Sequence, residues 1–275
     1  MPALSVPTVT MRDGRAIPQL GFGTYLVPPD DTERVVSEAL EVGYRHIDTA
    51  VLYENEAGVG AAIAASGIPR DELFVTTKLW NDQHQPDKAR ASINASLEKL
   101  GLDHVDLYLI HWPATRKYGD SYLAAWDVMQ EFKREGLTNS IGVSNFNAEQ
   151  IDGLRGEVPA INQVELHPSL SQVPLREDMR RRGIAVESWS PLGRGADLSD
   201  PAIIKIAAET SHTPAQVIIR WHIQSGLVVI PKSVTLQRIV ENSRVGFELT
   251  PAQMRVVDGL NTDTRYGKDP LTADF

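Results

Sequence analysis

The chain contains no cysteine. That excludes disulfides and thiolate zinc sites and leaves packing as the source of stability. No apolar run approaches the roughly 20 residues of a membrane span, and the opening MPALSVP has neither a basic stretch nor a continuous apolar one of the kind that directs secretion. A cytoplasmic location with no membrane partner is therefore expected. Positive charge is also in short supply, with 27 Lys and Arg against 36 Asp and Glu and a net charge of -9. Such a chain is not a general nucleic-acid binder, and any local group of cations stands out as a focused site. Low-complexity tracts and Gly/Ser linkers are missing too, so residues 1–275 are expected to form a single domain, close to the ~250 residues typical of a closed α/β barrel.

What is present is one repeated unit: a short apolar run rich in β-branched residues, then a longer amphipathic segment opened by a capping or turn residue. The runs fall at 20–23, 45–48, 73–78, 105–110, 140–143, 161–165, 185–189 and 228–230. Eight strands alternating with helices predict a (β/α)8 TIM barrel. A doubly wound open sheet would carry a G-x-G-x-x-G turn after an early strand. GFGTYL at 21–26 lacks the third glycine, and GVGAAI at 58–63 lies within a helical pattern, where its glycines serve helix packing. Ahead of the first barrel strand, residues 8–17 alternate around Asp13 and Gly14, predicting a β-hairpin that closes the bottom of the barrel. Residues 262–275 read as a short extended C-terminal tail, able to border a pocket but hardly to bury one.

Residues 228–242 join a buried strand, stopped by Pro231, to a helix that Ser233 or Thr235 can cap. Lys232 and Arg238 then stand near a helix N-terminus, where free N–H groups already favour an anion. This segment reads as a phosphate-binding address, or else as the solvated basic first turn of a surface helix. In a barrel the chemistry sits where strands end, and there the sequence places Asp48 with Tyr53 nearby, Lys78, and His111 followed by Trp112. Each has a structural reading on its own: a turn residue, a packed aromatic, an end-charge, a core histidine. Together they are four proton-handling types on one rim. A cation beside a tyrosine stabilises the phenolate left after proton donation, and Asp48 would hold that cation in place.

Over almost its whole length the chain resembles the aldo-keto reductases, closest to their bacterial diketogluconate reductase branch. The matching stretches are GYRHIDTA at 43–50, YENE at 53–56, KLW at 78–80, DLYLIHWP at 106–113, IGVSNF at 141–146, NQVE at 162–165, and IPKS at 230–233 running on to Arg238, Glu241 and Asn242. The resemblance implies an NADPH-dependent reductase of aldehydes and ketones, acting on small-molecule carbonyl substrates and commonly a monomer. It implies that Tyr53 is the general acid, that Lys78 paired with Asp48 lowers the Tyr53 pKa, and that His111 orients the carbonyl. For NADPH/NADP+ it implies contacts from Gly23, Thr24 and Asp48, from Ser144, Asn145 and Gln163 on the nicotinamide carboxamide, and from Trp189 stacked on its ring. Ser190, Pro191, Leu192 and Gly193 would pass along the pyrophosphate, with Gly193 allowing close backbone approach. Lys232, Ser233 and Arg238 would bind the 2′-phosphate, Val234 and Thr235 would also contact the cofactor, and Glu241 and Asn242 the adenine. Tyr25, Trp80, His111 and Trp112 would form the substrate slot, where the aromatics otherwise read as rim packing. No metal is implied. The short segment after Trp112 and the short tail predict an open pocket for small aldehydes, α-dicarbonyls or keto sugars. A rival from another class is a cofactor-holding regulatory subunit like those of potassium channels; a metal-dependent hydrolase would need clustered His and carboxylate ligands, whereas the remaining histidines are scattered.

Overall fold

The computed structural model describes residues 2–275. Its strands are β1 (Thr8–Thr10), β2 (Ala16–Pro18), β3 (Phe22–Gly23), β4 (His46–Asp48), β5 (Phe74–Leu79), β6 (Val105–Ile110), β7 (Thr138–Ser144), β8 (Ile161–Glu165), β9 (Ala185–Trp189) and β10 (Val228–Val229). The helices are α1 (Pro29–Val42), α2 (Glu56–Ser66), α3 (Pro86–Leu100), α4 (Thr115–Tyr118), α5 (Ser121–Arg134), α6 (Ala148–Asp152), α7 (Val173–Arg182), α8 (Pro201–Thr210), α9 (Pro214–Gln224), α10 (Leu236–Ser243) and α11 (Pro251–Asp258). Strands β3 to β10 form one parallel sheet in sequence order. A parallel bridge between Leu20 and Val229 joins its two ends, with Gly21 N–H donating to the Val229 carbonyl at 2.9 Å and Val229 N–H to the Gln19 carbonyl at 2.8 Å. The expected (β/α)8 barrel is thereby closed. Gly23 belongs to the same seam, where an added Cβ would stand 2.9 Å from the Ile230 carbonyl oxygen. No helix among the described residues is long and apolar enough to cross a membrane.

The helices form where apolar positions recur on one face. In α1 the buried Val35, Val36, Ala39 and Leu40 make a stripe against the sheet, Pro29 starts the helix, and Gly43 ends it in the left-handed region at φ 114°. In α5 the same stripe carries Tyr122, Ala125, Trp126, Met129 and Phe132. Each such large side chain contributes roughly 1.5–3 kcal/mol by leaving water. The glycines of the 58–63 stretch do serve packing within α2: a Cβ on Gly60 would lie 2.5 Å from the Leu100 carbonyl oxygen.

Strands β1 and β2 pair antiparallel, and Met11 and Ile17 pack against Phe74, Leu107, Leu109, Ile161 and Val228. This is the predicted plug under the barrel. Its turn is longer than Asp13 and Gly14 alone: Met11 N–H donates to the Arg15 carbonyl, Gly14 N–H returns to the Met11 carbonyl, and Gly14 takes φ 85°. At the far end of the 228–242 segment the expectation of a side-chain cap fails. Thr235 holds the N-cap position of α10 without a capping bond, and the Ser233 hydroxyl accepts instead from the Thr235 N–H at 3.1 Å, forming a local turn.

Candidate active site

At the C-terminal rim of the strands, Lys78 is fully buried on β5 and its ammonium donates to Asp48 Oδ1 at 2.6 Å and to the Thr49 carbonyl at 2.8 Å. Asp48 ends β4, one strand away, which is why the register brings the two together. The third donation from Lys78 Nζ reaches the Tyr53 hydroxyl at 3.4 Å, with the phenol ring on the 3-10 turn Val51–Tyr53 directly after Asp48. His111 follows β6, its ring 5.6 Å from that of Tyr53 and 5.1 Å from that of Trp80. The four expected rim residues thus meet at one point.

Electrostatics assign their protonation. Burial drives the His111 pKa well below the usual imidazole value, and the Lys78 charge adds to this, so the ring is neutral. Burial, then the negative charge of Asp48, hold the Tyr53 phenol well above its ordinary pKa. The net lowering of the Tyr53 pKa expected of the Lys78–Asp48 pair is not found: burial and the Asp48 charge hold it above its ordinary value, and Tyr53 keeps its proton. Asp48 is itself raised by burial against the pull of Lys78, and Gln163 Nε2 donates to its other oxygen at 2.8 Å.

These groups open into a cleft of about 970 Å³, lined by Tyr25, Trp80, His111, Trp112, Trp189 and Phe275 among others. A second cavity of about 390 Å³, lined by Ser233, Val234, Thr235, Glu241 and Asn242, shares Leu192, Leu198, Lys232 and Arg238 with the first. Together they make one groove long enough for an elongated ligand, running from Tyr53 to α10.

A sequence profile described as the aldo/keto reductase family matches residues 19–262. The chain belongs to that family. It is 48% identical over 275 residues to an aldo-keto reductase of Mycolicibacterium smegmatis, covering 98% of each chain. It is 49% identical over 271 residues to the methylglyoxal reductase DkgA of Yersinia pestis, covering 96% of each. Among solved structures, a variant of Gox0644 in complex with NADPH superposes with a TM-score of 0.94 at 44% identity, covering 98% of this chain and 100% of that one. A Bombyx mori aldo-keto reductase in complex with NADP gives 0.89 at 40% identity, covering 96% of this chain and 95% of its own.

Within this aldo/keto reductase the remaining expected contacts separate. Gly23, Ser144, Asn145, Gln163, Trp189, Ser190, Pro191 and Leu192 line the cleft. The Ser144 hydroxyl donates to the Gln163 backbone carbonyl at 2.8 Å, and the Asn145 side-chain oxygen accepts from Trp189 Nε1 at 2.9 Å, so both side chains are held in place. Thr24 and Gly193 do not line the groove. Thr24 is buried beneath it and gives its hydroxyl to the Asp48 carbonyl at 3.0 Å. Gly193 is a glycine for another reason than open approach: it has φ 57°, and a Cβ there would stand 2.7 Å from Asp197 Oδ2.

Some lining residues escaped the sequence reading. Arg194 follows Gly193 in the left-handed region and lines the first cavity. Lys232, Arg238 and Arg194 are exposed, and none makes an ion pair or side-chain hydrogen bond among the described residues. Tyr266, Gly267, Lys268 and Phe275 of the tail also line the cleft. Phe275 packs 5.0 Å from Trp112 and 5.6 Å from Trp80, so the short tail covers part of the slot rather than only edging it. Its anchor is Glu165, which accepts from Tyr266 N–H at 2.7 Å, Gly267 N–H at 2.8 Å and Arg265 at 3.1 Å. The composition of residues 262–275 carries no sign of that contact, because its acceptor lies a hundred residues upstream.

Proposed function

We propose that this aldo/keto reductase uses NADPH to reduce small aldehydes, α-dicarbonyls or keto sugars to alcohols, with residues 1–275 acting as one barrel unit and Tyr53 as the proton donor. The observation that carries the reading is the buried Asp48–Lys78 pair, with Lys78 3.4 Å from a Tyr53 hydroxyl at the edge of the cleft. The cofactor supplies hydride to the carbonyl carbon. Tyr53 supplies the proton to the carbonyl oxygen from the phenol that burial keeps protonated, and the adjacent Lys78 ammonium stabilises the phenolate left behind. Neutral His111 offers a ring N–H to the same oxygen, so the developing alkoxide meets donors already in place.

The groove suits the cofactor. Gln163, Ser144 and Asn145 stand where a carboxamide needs polar partners, and Trp189 offers a flat aromatic face beside them. Lys232 and Arg238, unpartnered at the entrance to α10, suit a ribose 2′-phosphate, a group NAD lacks. Tyr25, Trp80 and Trp112, with Phe275 against the two tryptophans, leave an apolar slot that favours compact carbonyls. NADPH absorbance loss across a carbonyl panel tests this. Methylglyoxal and phenylglyoxal should give higher kcat/KM than a bulky steroid ketone; the reverse order would reject the substrate class.

A further inference from the structure

Beneath the reactive rim lies a second carboxyl group that the proton-donor scheme does not use. Glu187 points inward from β9, is fully buried, and has no cation of its own. Its Oε2 accepts from Gln163 Nε2 at 2.8 Å, and the same nitrogen donates to Asp48 Oδ2 at 2.8 Å. Both hydrogens of the Gln163 amide are thereby consumed inside the barrel, leaving its carbonyl oxygen as the atom free to meet a ligand in the cleft.

Glu187 Oε1 lies 3.5 Å from His46 Nε2 and accepts no hydrogen bond, and the Thr76 hydroxyl also stands 3.5 Å from that nitrogen. The other ring nitrogen of His46, Nδ1, faces the Pro18 carbonyl at 3.3 Å and must carry the hydrogen to bond it. Burial drives His46 down to about 3, so the ring is neutral and Nε2 presents a lone pair to Glu187. A carboxylate oxygen facing that lone pair is repelled; a carboxylic acid there donates to it. The charged groups around Glu187 agree. Asp48 on β4 is already paired with Lys78 on β5, which leaves no cation for a second carboxylate, and on β10 the residue registered with Glu187 is the apolar Val228. Burial first, and the charge on Asp48 second, push the Glu187 carboxyl up from its usual range.

We propose that Glu187 is a neutral carboxylic acid and a positioning residue: it donates to His46, accepts from Gln163, and fixes the Gln163 amide with its carbonyl oxygen facing the cleft. Gln163 then recognises an N–H on the ligand and cannot serve as a donor to it. The second half rests on the reading above, in which Gln163 meets the carboxamide.

Infrared difference spectroscopy of the cofactor-free protein, wild type against Glu187→Gln, tests the protonation state. At pH 7 the difference should show loss of a protonated-carboxyl C=O band; loss of carboxylate bands instead would overturn the proposal. Binding tests the positioning. Glu187→Leu should raise the Kd for NADPH about tenfold by freeing one amide hydrogen of Gln163, and Glu187→Gln, an isostere of the acid, should restore most of that. Equal loss in both variants, or none in Glu187→Leu, would overturn it. The infrared result needs neither cofactor nor turnover, so it stands if Glu187→Leu fails to fold. A wild-type protein inert toward every aldehyde would count against the reaction and not against the protonated acid.

Discussion

At the scale of single residues, the site depends on which side chains lack partners as much as on which have them. Lys78 spends its hydrogens on Asp48, Thr49 and Tyr53, so it is fixed; Lys232 and Arg238 spend none, so they are available to an anion. Charge-assisted hydrogen bonds to a phosphate contribute roughly 1.5–3 kcal/mol each. Replacing both Lys232 and Arg238 by Ala is expected to raise the Kd for NADPH about a hundredfold while changing that for NADH by less than about threefold. Fluorescence titration with the two dinucleotides checks this, and parallel losses would mean that neither residue meets the 2′-phosphate. Residue types at strand ends were legible in the sequence because chemistry in a barrel is confined to that rim. Partnership was not. Nothing local marks Glu187 as the neighbour of Gln163, since the register of β8 and β9 puts them opposite each other.

At the scale of elements, existence was easier to read than edges. The runs at 105–110, 161–165 and 185–189 coincide with β6, β8 and β9, because turn residues bound them on both sides. The run at 140–143 extends to Thr138–Ser144, since the polar Thr138 still pairs with Val105 on β6. Helix starts were legible where a proline or capping residue precedes the apolar stripe, as at α9. There Thr213 accepts from the Gln216 N–H at 3.3 Å and Gln216 reaches back to the Thr213 N–H, while the Thr213 hydroxyl donates to Glu241 Oε1 at 2.8 Å. One cap therefore serves both the helix and a wall of the second cavity. Thr213→Val should cost about 1 kcal/mol and lower Tm by about 2 °C, with Thr213→Ser recovering most of it. An unchanged Tm in calorimetry would show that the capping box contributes nothing.

At the scale of the whole molecule, the slot is finished by residues 266–275, which the barrel pattern does not include. The tail is held through Glu165, which lies 3.3 Å from His167 Nε2, and His167 Nδ1 lies 3.1 Å from Asp197 in the loop beside Gly193. Burial opposes both ionisations, but the hydrogen bonds outweigh it: those from His167, Gly267 and Tyr266 hold the Glu165 carboxyl below its usual range, and Asp197 with Glu165 raises His167. The Glu165 contribution is present above its unfolded pKa, ~4.3, and is lost as pH falls through the depressed value. The His167 contribution is full below its unfolded pKa, ~6.5, and is lost as pH rises through the raised one. Protection of the Tyr266 and Gly267 amides, corrected for intrinsic exchange, should therefore be greatest between about pH 4.3 and 6.5 and fall by at most about tenfold per pH unit at the alkaline edge. His167→Gln should abolish that alkaline fall, and a slope that survives the substitution would mean that a group other than His167 titrates.

In the proposed reaction one phenol delivers the proton to the carbonyl oxygen. Tyr53→Phe removes a single oxygen from a side chain that packs against Tyr25 and His111 at 5.1 and 5.6 Å, so the ring and the walls of the cleft stay in place. The decisive measurement pairs methylglyoxal-dependent NADPH oxidation with NADPH binding on that one variant. The expected result is turnover reduced at least about a thousandfold, with the Kd for NADPH within about threefold of wild type. Undiminished turnover by Tyr53→Phe would contradict the assignment of Tyr53 as the acid.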